Sequence, residues 1–201
     1  MITLKILHVI VVAYRRAIPL RIMIDSFLLQ TNPRWTLHVI HDGPMPQDVK
    51  DVVDLPQYKD YRISFSETAV VNGHWGHPNR KFMLGQIPLN HRDFVLITND
   101  DNYYVPKFVE YFLEEGNKED VGFVYCNTVH SYYKYDILTT VVKENQIDMG
   151  SFMVKLDVAR HIGFNHIHLS ADGLYAEECA DYCRLRRLKV VHIPKPIFIH
   201  N

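Results

Sequence analysis

Residues 94–102 (FVLITNDDN) decide the fold, because a short apolar run there ends abruptly in a polar cluster. An apolar run of this length is typical of a strand that is buried on both faces of its sheet. In open α/β sheets, ligands bind just outside the carboxyl ends of the strands. Residues 99–102 are therefore predicted to lie at the ligand-binding edge of such a sheet.

Strands and helices are predicted to alternate through the first 126 residues. Residues 4–13 (LKILHVIVVA) form an apolar, β-branched run, and residues 35–41 (WTLHVIH) form a second strand. The remaining strands are predicted at 61–66, 94–98 and 121–126, and the helices at 17–30, 46–54, 80–87 and 106–115. This alternation predicts a parallel α/β sheet with right-handed crossovers.

The rest of the chain has a more mixed pattern. Extended segments are predicted at 132–142, 149–155, 189–193 and 197–199, and helices at 156–162 and 174–188. No Pro-, Gly- or Ser-rich linker separates the two parts. We therefore expect one domain over residues 1–201, with a parallel half (1–126) joined to a mixed half (127–201).

Composition excludes several classes of protein. The 201 residues contain 22 Lys and Arg against 23 Asp and Glu, so the formal net charge is −1. Such a balance argues against a nucleic-acid partner that is bound by phosphate neutralisation. The longest apolar runs are too short for a transmembrane segment. Three cysteines fit a reducing, cytoplasmic compartment, and peripheral contact with a membrane is left open.

Three polar clusters follow predicted strands and are expected to share one crevice. They are residues 13–16 (AYRR), 41–43 (HDG) and 99–102 (NDDN). The adjacent acids Asp100 and Asp101 are costly at such a place unless a cation neutralises them. Carboxylate oxygens suit Mg²⁺ or Mn²⁺, and a phosphate would complete the coordination shell. The alternative interpretation is that the pair forms a turn and caps the next helix.

The order of these elements resembles a GT-A glycosyltransferase of family 2, the inverting type that uses nucleotide sugars. The resemblance covers nearly the whole chain and depends on the stretches VIVVAYRR, LHVIHDG, VLITNDDNYYVP, DMGSFMVK, AEECADYCRL and IFIH. It implies a GT-A type α/β fold, with a mostly parallel sheet, flanking helices and a mixed C-terminal half. It also divides the chain into a nucleotide-binding half (1–126) and an acceptor and catalytic half (127–201).

The resemblance assigns nucleotide contacts to the ends of the first two strands. By position, Ala13, Tyr14 and Asp42 would hold the base and ribose, and Arg15 belongs to the same strand end. A basic residue in the segment 72–81 (NGHWGHPNRK) would meet the diphosphate. Arg80 is the candidate that we place there, with Lys81 beside it.

The resemblance also implies a divalent metal, Mn²⁺ or Mg²⁺, on the diphosphate. Asn99 and Asp101 fall on the two acidic positions of the family motif, with Asp100 between them. Asn99 departs from that motif, so the main ligand is either Asp100 or Asp101. We place Asp101 on the metal and Asp100 beside the nucleotide. A late histidine often completes the site in this family, and His200 fits it, with His192 as the second choice.

A late acidic pair followed by an arginine resembles the family motif that carries the general base. Here it reads Glu177-Glu178 with Arg184, which makes Glu178 the predicted catalytic base. The alternative is that both acids stabilise the first turn of a helix. Asp148 and Asp172 are further candidates for orienting the sugar or acceptor, although both also suit turns.

The function implied is a metal-dependent, hexosyltransferase-like transfer of a sugar from a nucleotide-diphosphate sugar to an acceptor hydroxyl, with inversion. The acceptor would be a glycan, a lipid-linked molecule or a protein. One alternative is a catalytically silent module that binds sugar nucleotides or glycans. Another is a metal-dependent nucleotidyltransferase or hydrolase, although neither G-x-x-x-x-G-K-[ST] nor G-x-G-x-x-G occurs in the sequence.

Overall fold

A computed structural model describes residues 5–201, so residue 4 of the first predicted strand lies outside the described residues. The strands are β1 (Leu7–Ala13), β2 (Trp35–His41), β3 (Ile63–Glu67), β4 (Phe94–Asn99), β5 (Tyr103–Tyr104), β6 (Val121–His130), β7 (Asp136–Leu138), β8 (Phe152–Lys155) and β9 (Lys189–His200). The helices are α1 (Ala17–Leu28), α2 (Gln47–Val53), α3 (His77–Gln86), α4 (Phe108–Gly116), α5 (Leu156–Ile162) and α6 (Ala171–Leu185). No helix of the described chain is long and apolar enough to cross a membrane.

The strands form one sheet in the order β3-β2-β1-β4-β8-β6-β9-β5, and β7 pairs with β6. The first four strands are parallel to one another, as the alternation of strands and helices predicted. Their carboxyl ends therefore meet at one edge of the sheet. The prediction of an α/β fold with helices flanking the sheet is confirmed.

The second half of the sheet differs from the predicted arrangement in two respects. The predicted fifth strand at 121–126 does not lie beside β4, because β8 pairs antiparallel with both β4 and β6. β9 then pairs with β6 in parallel, and β5 pairs antiparallel with β9, so the strand direction changes three times along the sheet. β9 is also continuous through Pro194 and Pro196, where two separate strands were predicted. Its register on β6 shifts between Ile193 and Pro196, which accommodates residues without an N–H donor.

Two hydrophobic cores cover the two faces of the sheet. On one face α1, α2 and α4 bury Phe27, Val49 and Phe112, among others, against the strands. On the other face α3, α5 and α6 bury side chains such as Leu84 and Tyr175. Strands that are buried on both faces lack a polar alternation, which explains why β1 and β4 are apolar runs.

Helix α6 begins at Ala171, three residues before the predicted helix at 174–188. Asp172 consequently lies in the first turn of the helix, at the carboxyl edge of the sheet. Glu177 and Glu178 lie in the second turn instead of the first. This shift decides which acid reaches the cavity described below.

Candidate active site

A cavity of about 1060 Å³ opens at the carboxyl ends of β1, β2 and β4. Ligand pockets in proteins typically enclose about 300–1,000 Å³, so it can hold a molecule of substantial size. We call it the main cavity. The residues singled out from the sequence that line it are Ala13, Tyr14, Asp42, Arg80, Asn99, Asp101, Asp148, Asp172 and His200. The structure thus brings most of the predicted site residues together, from both halves of the chain.

The buried carboxylate of Asp42 holds a loop at the wall of the main cavity. Its Oδ1 accepts hydrogen bonds from the Asn72 N–H (2.8 Å) and the Asn79 side-chain amide (2.9 Å), and its Oδ2 accepts from the Gly73 N–H (3.0 Å). Three donors of the protein itself therefore occupy this carboxylate. Asp42 positions the loop, and the loop faces the cavity.

The loop itself has an uncommon backbone. All four residues from Gly73 to Gly76 have positive φ angles, at 66°, 49°, 53° and 79°. Trp75 is the third of them, and its side chain lines the main cavity while 60% exposed. A Cβ atom on Gly76 would lie 2.3 Å from Val12 Cγ1, so only glycine allows the loop to approach β1 this closely. Strained backbone of this kind concentrates at functional sites.

Arg16 contacts both acids that follow β4. Its guanidinium forms ion pairs with both Asp100 and Asp101. Asp100 is fully buried and also accepts a hydrogen bond from the Tyr14 N–H at 2.9 Å. Burial raises the pKa of Asp100 to about 6, although the neighbouring Arg16 charge acts in the opposite direction. The cation predicted for this pair is therefore, in part, a side chain of the protein.

The two aspartates have different surroundings. Asp101 lines the main cavity, as predicted for a residue that binds a ligand or metal. Asp100 does not line it, so the structure does not support direct contact between Asp100 and a nucleotide. The reason is that both Asp100 oxygens point inward, to the Tyr14 backbone and Arg16. Asp100 instead fixes the end of β1.

Tyr14 and Arg15 both follow β1, and the Arg15 guanidinium lies over the Tyr14 ring, with its Cζ 5.1 Å from the ring centroid. Tyr14 lines the main cavity. Arg15 has a positive φ of 53°, and its N–H donates to His41 Nε2 at 3.0 Å. Arg15 does not itself line the cavity, but its guanidinium packs against Tyr14, which does.

Arg80 is a buried cation at the wall of the main cavity. It donates to the Trp75 carbonyl at 2.6 Å and to the Asn99 side-chain oxygen. Its Nε has no hydrogen-bond partner within residues 5–201. Lys81, in contrast, lies outside the cavity and donates to Asn165 Oδ1 at 2.9 Å. Arg80 is therefore the basic residue of this segment that can meet an anion.

Asp172 brings a carboxylate into the main cavity from the first turn of α6. Burial raises its pKa to about 6, the Arg80 charge opposes this rise, and the nearby Asp148 carboxylate adds to it. Asp172 is consequently a carboxylate with a raised pKa beside the buried guanidinium of Arg80. Such groups are candidates for acid–base chemistry.

His130, Asp148 and His200 form a cluster at the other side of the main cavity. One potential ligand atom from each residue lies within 4.8 Å of the others. His130 and His200 are register partners on β6 and β9, with ring centroids 4.0 Å apart. His192, the second choice from the sequence, instead bonds Asn127 Oδ1 at 2.8 Å. Two imidazoles and a carboxylate suit a divalent first-row metal.

Glu178, the predicted catalytic base, lies away from the main cavity. Its side chain is 44% exposed, and its Oε1 is 2.9 Å from His166 Nε2 in a separate shallow depression. Residues six apart on a helix differ by about 240° around its axis, so Asp172 and Glu178 face different directions. The structure therefore does not bring Glu178 to the other predicted site residues. Glu177 likewise accepts a hydrogen bond from the Glu144 N–H, outside the cavity.

His130 and Trp75 are among the cavity residues that were missed in the sequence. His130 ends β6, four residues beyond the predicted end of that strand, and a longer strand would have placed it at the ligand-binding edge. Trp75 lies between Gly73 and Gly76, and the two glycines indicated a loop but not its direction. Neither residue lies at a distance in sequence from another polar residue that is typical of a binding or metal motif.

No protein-family profile matches the sequence, and no curated protein sequence matches it. Several solved structures do share its fold. S. aureus TarS 1–349 in complex with UDP-GlcNAc has a TM-score of 0.75 and 14% identity, over 97% of this chain and 58% of that one. The mannosyltransferase PcManGT from Pyrobaculum calidifontis, in complex with GDP-Man and Mn²⁺, has a TM-score of 0.73 and 13% identity, over 99% and 57%.

The chain spans less than two thirds of the length of these structures, and only 37% of a longer TarS structure. The TM-scores of 0.72–0.75 establish a common fold, and at sequence identities of 12–15% the similarity shows the fold alone. The α/β fold with a mixed sheet flanked by helices, expected from the resemblance, is confirmed by this similarity.

Proposed function

We propose that this chain is a glycosyltransferase of hexosyltransferase type, which moves a sugar from a nucleotide-diphosphate sugar to an acceptor hydroxyl with inversion. One observation carries the proposal. A single cavity combines a buried arginine, a carboxylate with a raised pKa and a His-Asp-His cluster at the carboxyl edge of the sheet. The fold shared with proteins bound to UDP-GlcNAc and GDP-Man supports it.

In this proposal, residues 1–126 bind the donor. Ala13 and Tyr14 line the end of β1, where the base and ribose would lie, and Asp42 orders the loop beside them. Arg80 would meet the diphosphate. Its buried guanidinium, with an Nε that finds no partner among residues 5–201, suits an anion. Trp75 adds an exposed aromatic face against which a ring can stack.

A divalent cation, Mn²⁺ or Mg²⁺, fits the cavity because nitrogen and oxygen ligands converge there from His130, Asp148 and His200. When bound, the ion supplies positive charge that stabilises a diphosphate leaving group. Asp101 also lines the cavity, but its carboxylate is paired with Arg16. Arg16 therefore already occupies Asp101, and the His-Asp-His cluster is the place where an added cation would lie.

Asp172 takes the role of general base in this proposal, in place of Glu178. The acceptor oxygen forms a bond to the anomeric carbon while the bond from that carbon to the diphosphate oxygen breaks. Asp172 accepts the hydroxyl proton, and the bonding electrons leave with the diphosphate. One in-line displacement inverts the anomeric centre. With a pKa of about 6, Asp172 is mostly ionised at neutral pH.

Residues 127–201 would bind the acceptor. Tyr132 and Tyr133 line the main cavity and are 84% and 57% exposed, so they offer rings to a molecule that enters its mouth. A glycan, a lipid-linked acceptor or a protein could each use such rings. The cavity itself does not distinguish these acceptors.

A donor screen followed by product analysis tests the function. We expect one class of UDP- or GDP-sugar to raise the melting temperature with Mn²⁺ present, because a ligand that binds only the folded state stabilises it. Proton NMR of the product formed with a panel of simple acceptors should then show the inverted anomer. A stabilised protein that forms no product would indicate a silent binding module. No stabilisation by any sugar nucleotide would contradict the proposal.

A further inference from the structure

We propose that His77 is a positioning residue of the active site, which orients the guanidinium of Arg80 and ties it to the segment that leads into α6. His77 would act through Arg80 and Asp172, without touching the reacting atoms. The inference rests on the proposed function, in which Arg80 meets the diphosphate and Asp172 accepts the proton.

The imidazole of His77 is buried at the wall of the main cavity, where it joins two distant parts of the chain. Its Nδ1 lies 2.6 Å from Arg80 Nη1, one turn further along α3. Its Nε2 lies 3.1 Å from the carbonyl oxygen of His168, in the segment 163–170 between α5 and α6. One side chain therefore contacts both the arginine and the chain that enters α6.

These two contacts fix the protonation of the His77 imidazole. A guanidinium can only donate hydrogen bonds, so Nδ1 has to be the unprotonated nitrogen that accepts from Arg80. A carbonyl oxygen can only accept, so Nε2 has to carry the proton and donate it to His168. Both contacts thus require the same neutral tautomer. Burial and the Arg80 charge lower the pKa of His77 to about 4, which keeps the imidazole neutral at physiological pH.

The guanidinium of Arg80 is held by uncharged partners. Nη1 donates to the Trp75 carbonyl and to His77 Nδ1, each at 2.6 Å, and Nη2 donates to the Asn99 side chain. Nε has no partner within residues 5–201. Uncharged partners fix the orientation of the guanidinium and leave its charge for an anion, whereas a carboxylate in the place of His77 would neutralise it.

His77 also holds the start of the helix that carries Asp172. The His168 carbonyl oxygen that accepts from His77 accepts in addition from the Ala171 N–H at 3.0 Å, and Ala171 is the first residue of α6. The His77 ring packs on Phe164 in the same segment, with ring centroids 5.1 Å apart. A displaced His77 would therefore disturb the position of Asp172 as well as that of the arginine.

Two substitutions of His77 separate its two contacts. The asparagine amide reaches as far along the side chain as Nδ1, so His77→Asn keeps an acceptor for Arg80 and loses the donor to His168. The glutamine amide nitrogen reaches as far as Nε2, so His77→Gln keeps the donor to His168 and loses the acceptor beside Arg80. Both variants lose the ring that packs on Phe164. A role in packing alone would therefore make the two variants equivalent.

Calorimetric titration with UDP and with GDP, together with steady-state kinetics, tests the inference. His77→Gln should weaken binding of the nucleotide by at least about 10-fold, because Arg80 loses a hydrogen bond that involves a charged group. His77→Asn should bind the nucleotide as the wild-type protein does. Its kcat should nevertheless fall by about 10-fold or more, since displacement of a catalytic group by about 1 Å can cost about 10²-fold in rate.

His74→Asn is the matched control. His74 is exposed three residues before His77, and asparagine tolerates its positive φ of 49°. This variant should leave nucleotide binding and kcat unchanged. Circular dichroism of all three variants separates a lost contact from lost folding. If His77→Asn and His77→Gln have equal effects on nucleotide binding and on kcat, the inference is wrong.

Nitrogen-15 NMR tests the same inference without nucleotide or variant. The wild-type spectrum should show His77 as the neutral tautomer with its proton on Nε2, unchanged between pH 6 and 8, because its pKa is about 4. A charged His77 or a proton on Nδ1 would overturn the inference. Failure of the wild-type protein to bind either nucleotide would contradict the proposed function. The Arg80 Nε–H signal would then decide the inference, and it should shift in His77→Gln but not in His77→Asn.

Discussion

Asp42 Oδ2 accepts a hydrogen bond from the Gly73 N–H at 3.0 Å, which ties the end of β2 to the loop that carries Trp75 into the cavity. Asp42→Ala removes this contact and the two contacts of Oδ1. We expect a higher KM for the donor with a smaller decrease in kcat, because the loop borders the proposed nucleotide site. Steady-state kinetics over donor concentration measure both. A collapse of kcat at unchanged KM would show that Asp42 acts on the chemistry.

Asp172→Asn should abolish transfer while donor binding survives. The amide keeps the size of the carboxylate but cannot accept the acceptor's proton, and general bases contribute about 10²–10⁴-fold in rate. Glu178→Gln is the matched control on the same helix, and it should leave the rate within about 2-fold, because Glu178 lies outside the cavity. The reverse pattern, with Glu178 essential and Asp172 dispensable, would restore the assignment made from the sequence.

The rate should depend on pH through Asp172. Burial raises its pKa from 3.8 to about 6, and a general base acts only when deprotonated. The value of kcat/KM should therefore fall by about 10-fold per unit as the pH decreases below 6, and level off above it. Profiles between pH 5 and 8 at fixed metal saturation measure this. If kcat/KM does not change across this range, Asp172 is not the residue that accepts the proton.

Nucleotide and metal should stabilise the fold together. A diphosphate would lie near the Asp148 and Asp172 carboxylates, and a cation offsets this repulsion. A nucleoside diphosphate at 100 times its Kd should add about 2.7 kcal/mol to the free energy of unfolding when Mn²⁺ is present. In excess EDTA the melting temperature should not move. An equal increase in melting temperature with Mn²⁺ and with EDTA would show that nucleotide binding does not require the metal.

Gly76→Ala should destabilise the fold and distort the cavity wall. The new Cβ would lie 2.3 Å from Val12 Cγ1, at a φ of +79° that side chains rarely adopt. Strain of this kind costs about 1–3 kcal/mol. Gly85→Ala is the matched control in α3, where a Cβ meets nothing within 4 Å and alanine should add about 0.5–1 kcal/mol. Urea unfolding of both variants measures the difference, and equal stabilities would mean that the loop relaxes freely.

The sequence predicts the edge of the sheet better than it predicts the helix beside it. The apolar runs of β1, β2 and β4 end in polar residues, and this local pattern places Asp42 and Asp101 at the cavity. The insertion of β8 between β4 and β6 has no local signal, because strand pairing depends on contacts between distant segments. The course of the loop at Trp75 likewise depends on Asp42, which is distant in sequence.

Glu178 shows that a match of residue types does not fix where a side chain lies, since the structure does not bring it to the main cavity. The stretch AEECADYCRL resembles the expected motif in letters, but α6 begins at Ala171, so Asp172 occupies the first turn. An acidic side chain on a helix can line a cavity at the edge of the sheet only if its turn of the helix lies at that edge. The position of His130 at the cavity could not be predicted either. A lone histidine indicates no site in the sequence, and only the pairing of β6 with β9 places it beside His200.

The course of β9 has a practical consequence for handling the protein. His200 and Asn201, at the end of this strand, both line the main cavity. Any peptide fused after Asn201 therefore starts at the rim of the cavity, and a polyhistidine tag there would bring competing imidazoles beside His130 and His200. An affinity tag at that position has to be cleaved before metal or nucleotide binding is measured.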